Sequence, residues 1–276
     1  MPRRLRLDAE LVRRGLARSR EHAAELIAAG RVKVAGATAT KPATGVSTDV
    51  ALVVREDPHR PDYVSRGGHK LAGALDAFAA AGLTVQGRRC LDAGASTGGF
   101  TDVLLRAGAA QVVAVDVGYG QLAWPLRQDE RVHVHDRTNV RELSPDVVGE
   151  PVDVVVGDLS FISLLLVLDP LISVTRDDGD LVLMVKPQFE VGRDRVGKGG
   201  VVRDVALRAE AVNQVADAAA QRGWGARGVA TSPLPGPSGN VEFFVWLRRG
   251  PAEVDHEAVL AAVRRGSGVP GERVGP

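Results

Sequence analysis

The segment Cys90-Leu91-Asp92-Ala93-Gly94-Ala95-Ser96-Thr97-Gly98-Gly99-Phe100 constrains the fold of this chain most. An apolar strand runs into a glycine-rich turn and then a helix, the place where open α/β sheets bind their ligands. Three ligand chemistries compete for such a turn. A phosphate-cradling loop needs Lys-Ser/Thr after its last glycine, and here Phe100-Thr101 follows. The dinucleotide fingerprint needs glycine at its second position so that backbone can approach a pyrophosphate, and Ser96 occupies it. Gly94-Ala95-Ser96-Thr97-Gly98 also fits the nucleophile elbow of hydrolases, which requires a later acid and a later histidine. The later histidines are His133 and His135, in or beside a strand, and His256 near the end of the chain, so a triad is poorly supplied. A ligand without pyrophosphate fits the turn better.

Around this turn, helical and apolar-strand segments alternate. Strands are expected at Arg89–Ala93, Val112–Asp116, Val132–His135, Val152–Gly157, Leu181–Lys186 and Val241–Leu247, with a helix near Lys70–Ala80 ahead of them. This alternation predicts an α/β, doubly wound sheet. Upstream the pattern differs. Leu7, Leu11 and Val12 make a helical stripe ending at Gly15; Ser19 can cap a second helix that stops at Gly30; Arg31-Val32-Lys33-Val34 then alternates as a strand. The polar stretch Arg55–Asp62 carries two prolines and reads as a linker. We therefore expect a small domain and linker over 1–62, a larger domain over 63–249, and a partly disordered tail with one short helix over 250–276.

Charge separates the same parts. Residues 1–70 hold 14 Lys and Arg against 8 Asp and Glu, whereas the rest of the 276-residue chain holds 21 against 26. A basic end of this kind calls for a polyanion, and Arg13, Arg14, Arg18, Arg20, Arg31 and Lys33 could form one basic surface, with a solvated helix face as the competing reading. The longest apolar run, Phe161–Leu168, is too short to span a bilayer, and Asp8 and Glu10 stand where a signal peptide would be apolar. A cytoplasmic protein is expected. The single cysteine, Cys90, cannot form an internal disulfide, and six scattered histidines have no metal-ligand spacing, so no metal is expected.

The turn best suits S-adenosylmethionine. Its charged methionine end can sit at Gly94, Ser96, Gly98, Gly99 and Phe100 with Asp92 as the nearby acid. Asp116, at the end of the next strand, stands where a carboxylate accepts ribose hydroxyls, and Asp136 after the third strand could meet the adenine edge. In a chain with 30 arginines and 5 lysines, a retained lysine points to chemistry that a guanidinium cannot do, because lysine can lose its proton. Lys186 ends one strand, Asp158 another; Lys70 lies at the start of a helix and Glu242 begins the last strand. The fold should gather the four at one crevice. Carbon methylation lacks a placed cysteine nucleophile, and the exocyclic-amine D/N-P-P-Y/F loop is replaced by Asp158-Leu159-Ser160-Phe161, although Phe161 could still stack on a base. A hydroxyl acceptor, with Lys186 as base and Asp158 as its partner, remains the leading reading over an amine acceptor.

Ser65-Arg66-Gly67-Gly68-His69-Lys70, Asp158-Leu159-Ser160-Phe161, Val185-Lys186-Pro187-Gln188-Phe189-Glu190 and Pro237-Ser238-Gly239-Asn240-Val241-Glu242, together with the glycine turn, closely resemble the TlyA family, also called the haemolysin A family. Residues 5–54 resemble an S4-type RNA-binding module. The resemblance implies a Rossmann-like, FtsJ-like methyltransferase domain preceded by a small α+β S4 domain, with Lys70, Asp158, Lys186 and Glu242 as a catalytic tetrad. It implies cytidine 2′-O-methylation in ribosomal RNA of both the 30S and 50S subunits; a monomer is expected. Arg4, Arg6, Arg13, Arg14, Arg18, Arg20, Arg31, Lys33 and Arg66 are the expected RNA contacts. The haemolysin name offers a membrane-active toxin as a rival, for which the basic helices carry too few large apolar residues.

Overall fold

A computed structural model describes residues 4–55 and 61–266. The chain divides into two compact units, 1–64 and 65–276.

In the first unit, helices Leu7–Arg13 and Arg20–Ala28 precede a three-stranded antiparallel sheet ordered Ala37–Thr38, Val32–Val34, Leu52–Val54, and Arg4–Arg6 pairs with Gly45–Ser47. The second helix starts where its sequence says it should. Ser19 Oγ accepts from the His22 N–H at 3.1 Å, and Gly30 follows the last turn with φ +69°, a left-handed conformation that costs glycine little. Leu7, Leu11, Leu26, Ile27, Val32 and Val46 close a small apolar core.

The second unit is a seven-stranded sheet. Its strands are β1 Arg89–Ala93, β2 Gln111–Val115, β3 Val132–His135, β4 Val152–Gly157, β5 Thr175–Val185, β6 Trp224–Thr231 and β7 Phe243–Arg249, in the spatial order β6-β7-β5-β4-β1-β2-β3. β3, β2, β1, β4 and β5 are parallel neighbours, and β7 enters antiparallel between β5 and β6. The near-continuous Val, Leu and Ala of β2, β4 and the second half of β5 suit strands covered on both faces. Helices α1 Arg66–Ala79 and α2 Gly99–Arg106 cover one face, where Phe78 meets Trp246 and Phe100 meets Phe244 at 5.6 and 6.1 Å between ring centroids. Helix α3 Val205–Ala220 covers the other, with Ala211, Val212 and Val215 fully buried against Leu181, Leu183 and Val245.

Two expectations needed correction. Strand β6 was missed because Trp-Gly-Ala-Arg-Gly-Val-Ala-Thr has no apolar alternation. Its second glycine is dictated by packing, since a Cβ at Gly228 would lie 2.8 Å from the Phe78 ring. The one helix expected in the tail is α4, His256–Gly266, and its Val259 and Val263 complete the core beside α3; residues 267–276 lie outside the described part, as do 56–60 of the expected linker. β5 begins at Thr175, six residues before its apolar run, and accommodates the polar Arg176-Asp177-Asp178 by a register shift against β4.

Candidate functional site

The strand order reverses between β1 and β4, so the loops that leave their carboxyl ends part and form a crevice. The glycine turn 94–98 forms one lip. Gly94 and Ala95 N–H groups donate to Val115 O at 2.9 and 3.0 Å, and Gly94, at φ +87°, passes so near β4 that a Cβ there would lie 2.9 Å from Asp158 O. Ser96 itself is left-handed, at φ +47°, which a non-glycine residue holds only when its surroundings fix it. What fixes it is Asp116, whose Oδ2 accepts from the Ser96 N–H at 2.8 Å while Oδ1 accepts from the Gly118 N–H at 2.7 Å.

A cavity of about 450 Å³ opens beside this turn, lined by Gly94, Ser96, Asp116, Val117, Leu159 and Ile162 among others. It offers backbone and a carboxylate at one side and apolar side chains at the other, which is what a nucleoside with a short polar tail requires. Asp92 lies just beneath, fully buried on the α2 face. Its Oδ2 accepts from the Thr101 hydroxyl at 2.7 Å, and its Oδ1 has no partner among the described residues. Phe100 is buried against Phe244 and supports the turn. Gly98 caps α2 at φ +98°, and a Cβ at Gly99 would lie 2.9 Å from Gly68 N, so bare backbone lets α1 close on α2. The structure does not bring Asp136 to this cavity. Its carboxylate pairs with Arg127 at 2.5 Å, which holds it below the usual carboxylate range, and Thr138 and Asn139 take the place expected for it.

Burial pushes the Asp92 carboxyl up to about 7. The consequence for stability has a definite sign. Below the ordinary carboxylate range the folded and unfolded chains both keep the proton. As pH rises toward 7 the unfolded chain releases it and the folded chain does not, so the fold loses stability, by about 4 kcal/mol once Asp92 ionises. Asp92→Asn keeps the shape and an acceptor for Thr101 without a charge. Without cofactor, this variant should melt roughly 10 °C above the parent at pH 8, with a much smaller gain at pH 5. A gain of equal size at both values would contradict the assignment.

The four groups expected to converge form two ion pairs. Lys186 Nζ lies 2.6 Å from Asp158 Oδ1 and donates to Ser160 Oγ at 2.8 Å. Lys70 Nζ lies 2.5 Å from Glu242 Oε2, with both side chains almost wholly buried. Asp158 also lines a smaller cavity of about 220 Å³ that reaches Lys70 and Arg66. A groove of about 730 Å³ runs past Lys186, Glu242, Phe161 and Phe189. Ser160, Phe161 and Ile162 line both this groove and the cavity at the glycine turn, so the two spaces share one wall. Phe161 stands on that wall, 91% exposed and at φ +64°, with its ring 5.4 Å from Phe189. A bulky aromatic held out in this conformation is unusual for a residue with only a packing role.

Sequence reasoning missed Ser160, Phe189 and Glu190 as parts of this arrangement. Glu190 accepts from the Ser163 hydroxyl and, at 2.9 Å, from the Leu164 N–H, tying the Asp158–Leu164 loop to the segment after Lys186. All three stand inside the quoted motifs, beside the residues that were singled out.

In the first unit, the basic surface is smaller than charge alone predicts. Arg14 holds Glu10 and the carbonyls of Thr48 and Val50; Arg31 holds Asp62 and Arg55 O, and only 13% of its side chain is exposed. These two cations are spent on the fold, and Arg31 does not share an open face with Lys33. Arg6 and Arg20 pair with Asp8, and Arg13 with Glu10, yet each keeps more than half its side chain in solvent. Arg18 donates to Tyr63 O, Arg4 to Gly45 O, and Lys33 is half-buried.

Residues 63–249 match the FtsJ-like methyltransferase family and residues 5–50 match the S4 domain. The chain is 63% identical over 248 residues to the 16S/23S rRNA (cytidine-2′-O)-methyltransferase TlyA of Mycobacterium tuberculosis, covering 90% of this chain and 91% of that one. It is 37% identical to hemolysin A of Brachyspira hyodysenteriae, over 87% of this chain and 98% of that one. A solved structure from Streptococcus thermophilus, provisionally named a hemolysin, superposes with a TM-score of 0.73 at 36% identity, covering 98% and 97% of the two chains. With an S4 domain ahead of an FtsJ-like sheet and this extent of identity, the chain belongs to the TlyA family of methyltransferases.

Proposed function

We propose that this protein transfers a methyl group from S-adenosylmethionine to the 2′-hydroxyl of cytidine in ribosomal RNA of both subunits, acting in the cytoplasm. One observation carries the reading: the Lys186–Asp158 pair stands where the cavity at the glycine turn and the groove share a wall. The cofactor supplies an electrophilic methyl group on a sulfonium. Gly94, Ser96 and Asp116 would hold it, with Asp116 free to accept further hydrogen bonds through the remaining lone pairs of both oxygens.

In this reading the acceptor ribose lies in the groove with its base against Phe161. Lys186 takes the hydroxyl proton after its own proton has left to solvent, or, as the ammonium, orients the hydroxyl; Asp158 and Ser160 hold the amine in place. The Lys70–Glu242 pair is a fixed dipole between the smaller cavity, which Lys70 lines, and the groove, which Glu242 lines, and positions sugar and phosphate. Arg66 and the exposed cations of the S4 domain meet phosphates. Membrane attack has no support in the described residues, among which no helix is long and apolar enough to cross a bilayer.

Tritiated methyl transfer to purified 30S and 50S subunits tests this directly, with both expected to take up label. A toxin, or an S4 protein without activity, labels neither. Lys33→Glu should weaken subunit binding about tenfold and flatten its salt dependence by about one phosphate contact, leaving cofactor affinity unchanged. Filter binding at several salt concentrations reads both effects, and an unaltered slope would remove Lys33 from the interface.

A further inference from the structure

The loop 192–203 forms one wall of the groove through Gly192, Arg193, Val196, Gly197 and Gly200. Its sequence gives it little reason to keep one shape. Gly192, Gly199 and Gly200 all have positive φ, and a Gly197–Val201 bridge is the only strand-like pairing within it. Glycines of this kind open many backbone conformations to a loop, so something outside must select one.

Asn240 does so from across the cleft. It is 2% exposed; its Oδ1 accepts from the Val202 N–H at 2.9 Å and its Nδ2 donates to Gly200 O at 2.8 Å. Donor and acceptor of one amide are thus matched to acceptor and donor of one loop. Arg208 adds to the anchorage by donating to Val202 O at 2.9 Å, and Arg195 within the loop pairs with Glu210 of α3. On its own side, the Asn240 carbonyl accepts from the Gly236 N–H at 2.9 Å and closes the turn that carries Pro237 and Ser238 into the groove. Two residues on stands Glu242, paired with Lys70.

We propose that Asn240 is a positioning residue that fixes the 192–203 loop as a wall of the acceptor groove, in register with Glu242. This rests on reading the groove as the RNA acceptor site. Asn240 bonds Val202, Gly200 and Gly236, none of which lines the cavity at the glycine turn, so its loss should fall on the RNA substrate alone. An aspartate would keep the acceptor for Val202 but set a carboxylate oxygen against Gly200 O, a repulsion that asparagine avoids.

The test uses the full chain with Asn240→Ala and Asn240→Asp, measuring KM for ribosomal subunits, S-adenosylmethionine affinity by calorimetry, and amide exchange at Val202. Both variants should raise the subunit KM about tenfold or more and keep cofactor affinity within about twofold. Exchange at Val202 should quicken strongly in the alanine variant and less in the aspartate variant, which retains that bond. An unchanged subunit KM beside faster exchange would overturn the positioning role, as would equal losses of subunit and cofactor binding. If the parent protein labels no subunit, the reading of the groove fails and this proposal with it.

Discussion

Lys186→Arg is expected to lower the rate of methyl transfer by about 10²–10⁴-fold while leaving cofactor affinity within a few-fold. Lys186 is almost enclosed, with 8% of its side chain exposed, and its amine is shared between Asp158 and Ser160. An arginine there keeps a positive charge beside Asp158, so the half-buried carboxylate is not left without a partner. It cannot give up a proton at any accessible pH, and its planar fork does not fit a site built for a compact amine. The substitution therefore separates charge from proton transfer and amine geometry. Single-turnover transfer to subunits reads the chemical step, and near-normal turnover would mean that Lys186 contributes charge alone.

Asp116→Ala should weaken S-adenosylmethionine binding about 10- to 100-fold, since hydrogen bonds to a charged acceptor contribute roughly 1.5–3 kcal/mol. Two losses act together. The ribose hydroxyls would lose their acceptor, and Ser96 would lose the carboxylate that holds it at φ +47°. The turn then relaxes toward a more ordinary conformation and the cavity changes shape before any ligand arrives. Calorimetry on a folded Asp116→Ala variant measures the sum, and unchanged affinity would remove Asp116 from the cofactor site.

Much of this fold was legible because its signals are local. β1 and β4 were read at their observed bounds from their apolar runs, as suits strands covered on both faces, and the edge strand β3 from the short alternating segment Val132-His133-Val134-His135. β6 was not legible, because its residues answer to Phe78 and Trp246, which are remote in sequence. The site divides in the same way. Strand ends carry Asp158 and Lys186 to the crevice by topology, and because β4 and β5 are parallel neighbours the two stand side by side, where they pair at 2.6 Å. Asp136 shows the limit: a strand-end position fixes the backbone, but Arg127 decides where the carboxylate goes. The basic end shows it again. Composition counts Arg14 and Arg31 as charge available to RNA, whereas burial assigns both to intramodule bonds. Ser160, Glu190 and Asn240 carry no signal by residue type, and their importance emerges only from the partners that the fold gives them.

The central claim is that a lysine amine serves a ribose hydroxyl at the meeting of two cavities. Nucleoside mass spectrometry of 16S and 23S RNA, after incubating the purified protein and S-adenosylmethionine with unmodified subunits, tests it most directly. The account predicts 2′-O-methylcytidine, with the added mass retained on the ribose fragment, and its loss when Lys186→Arg replaces the parent protein. A methyl group found on the cytosine base would contradict it.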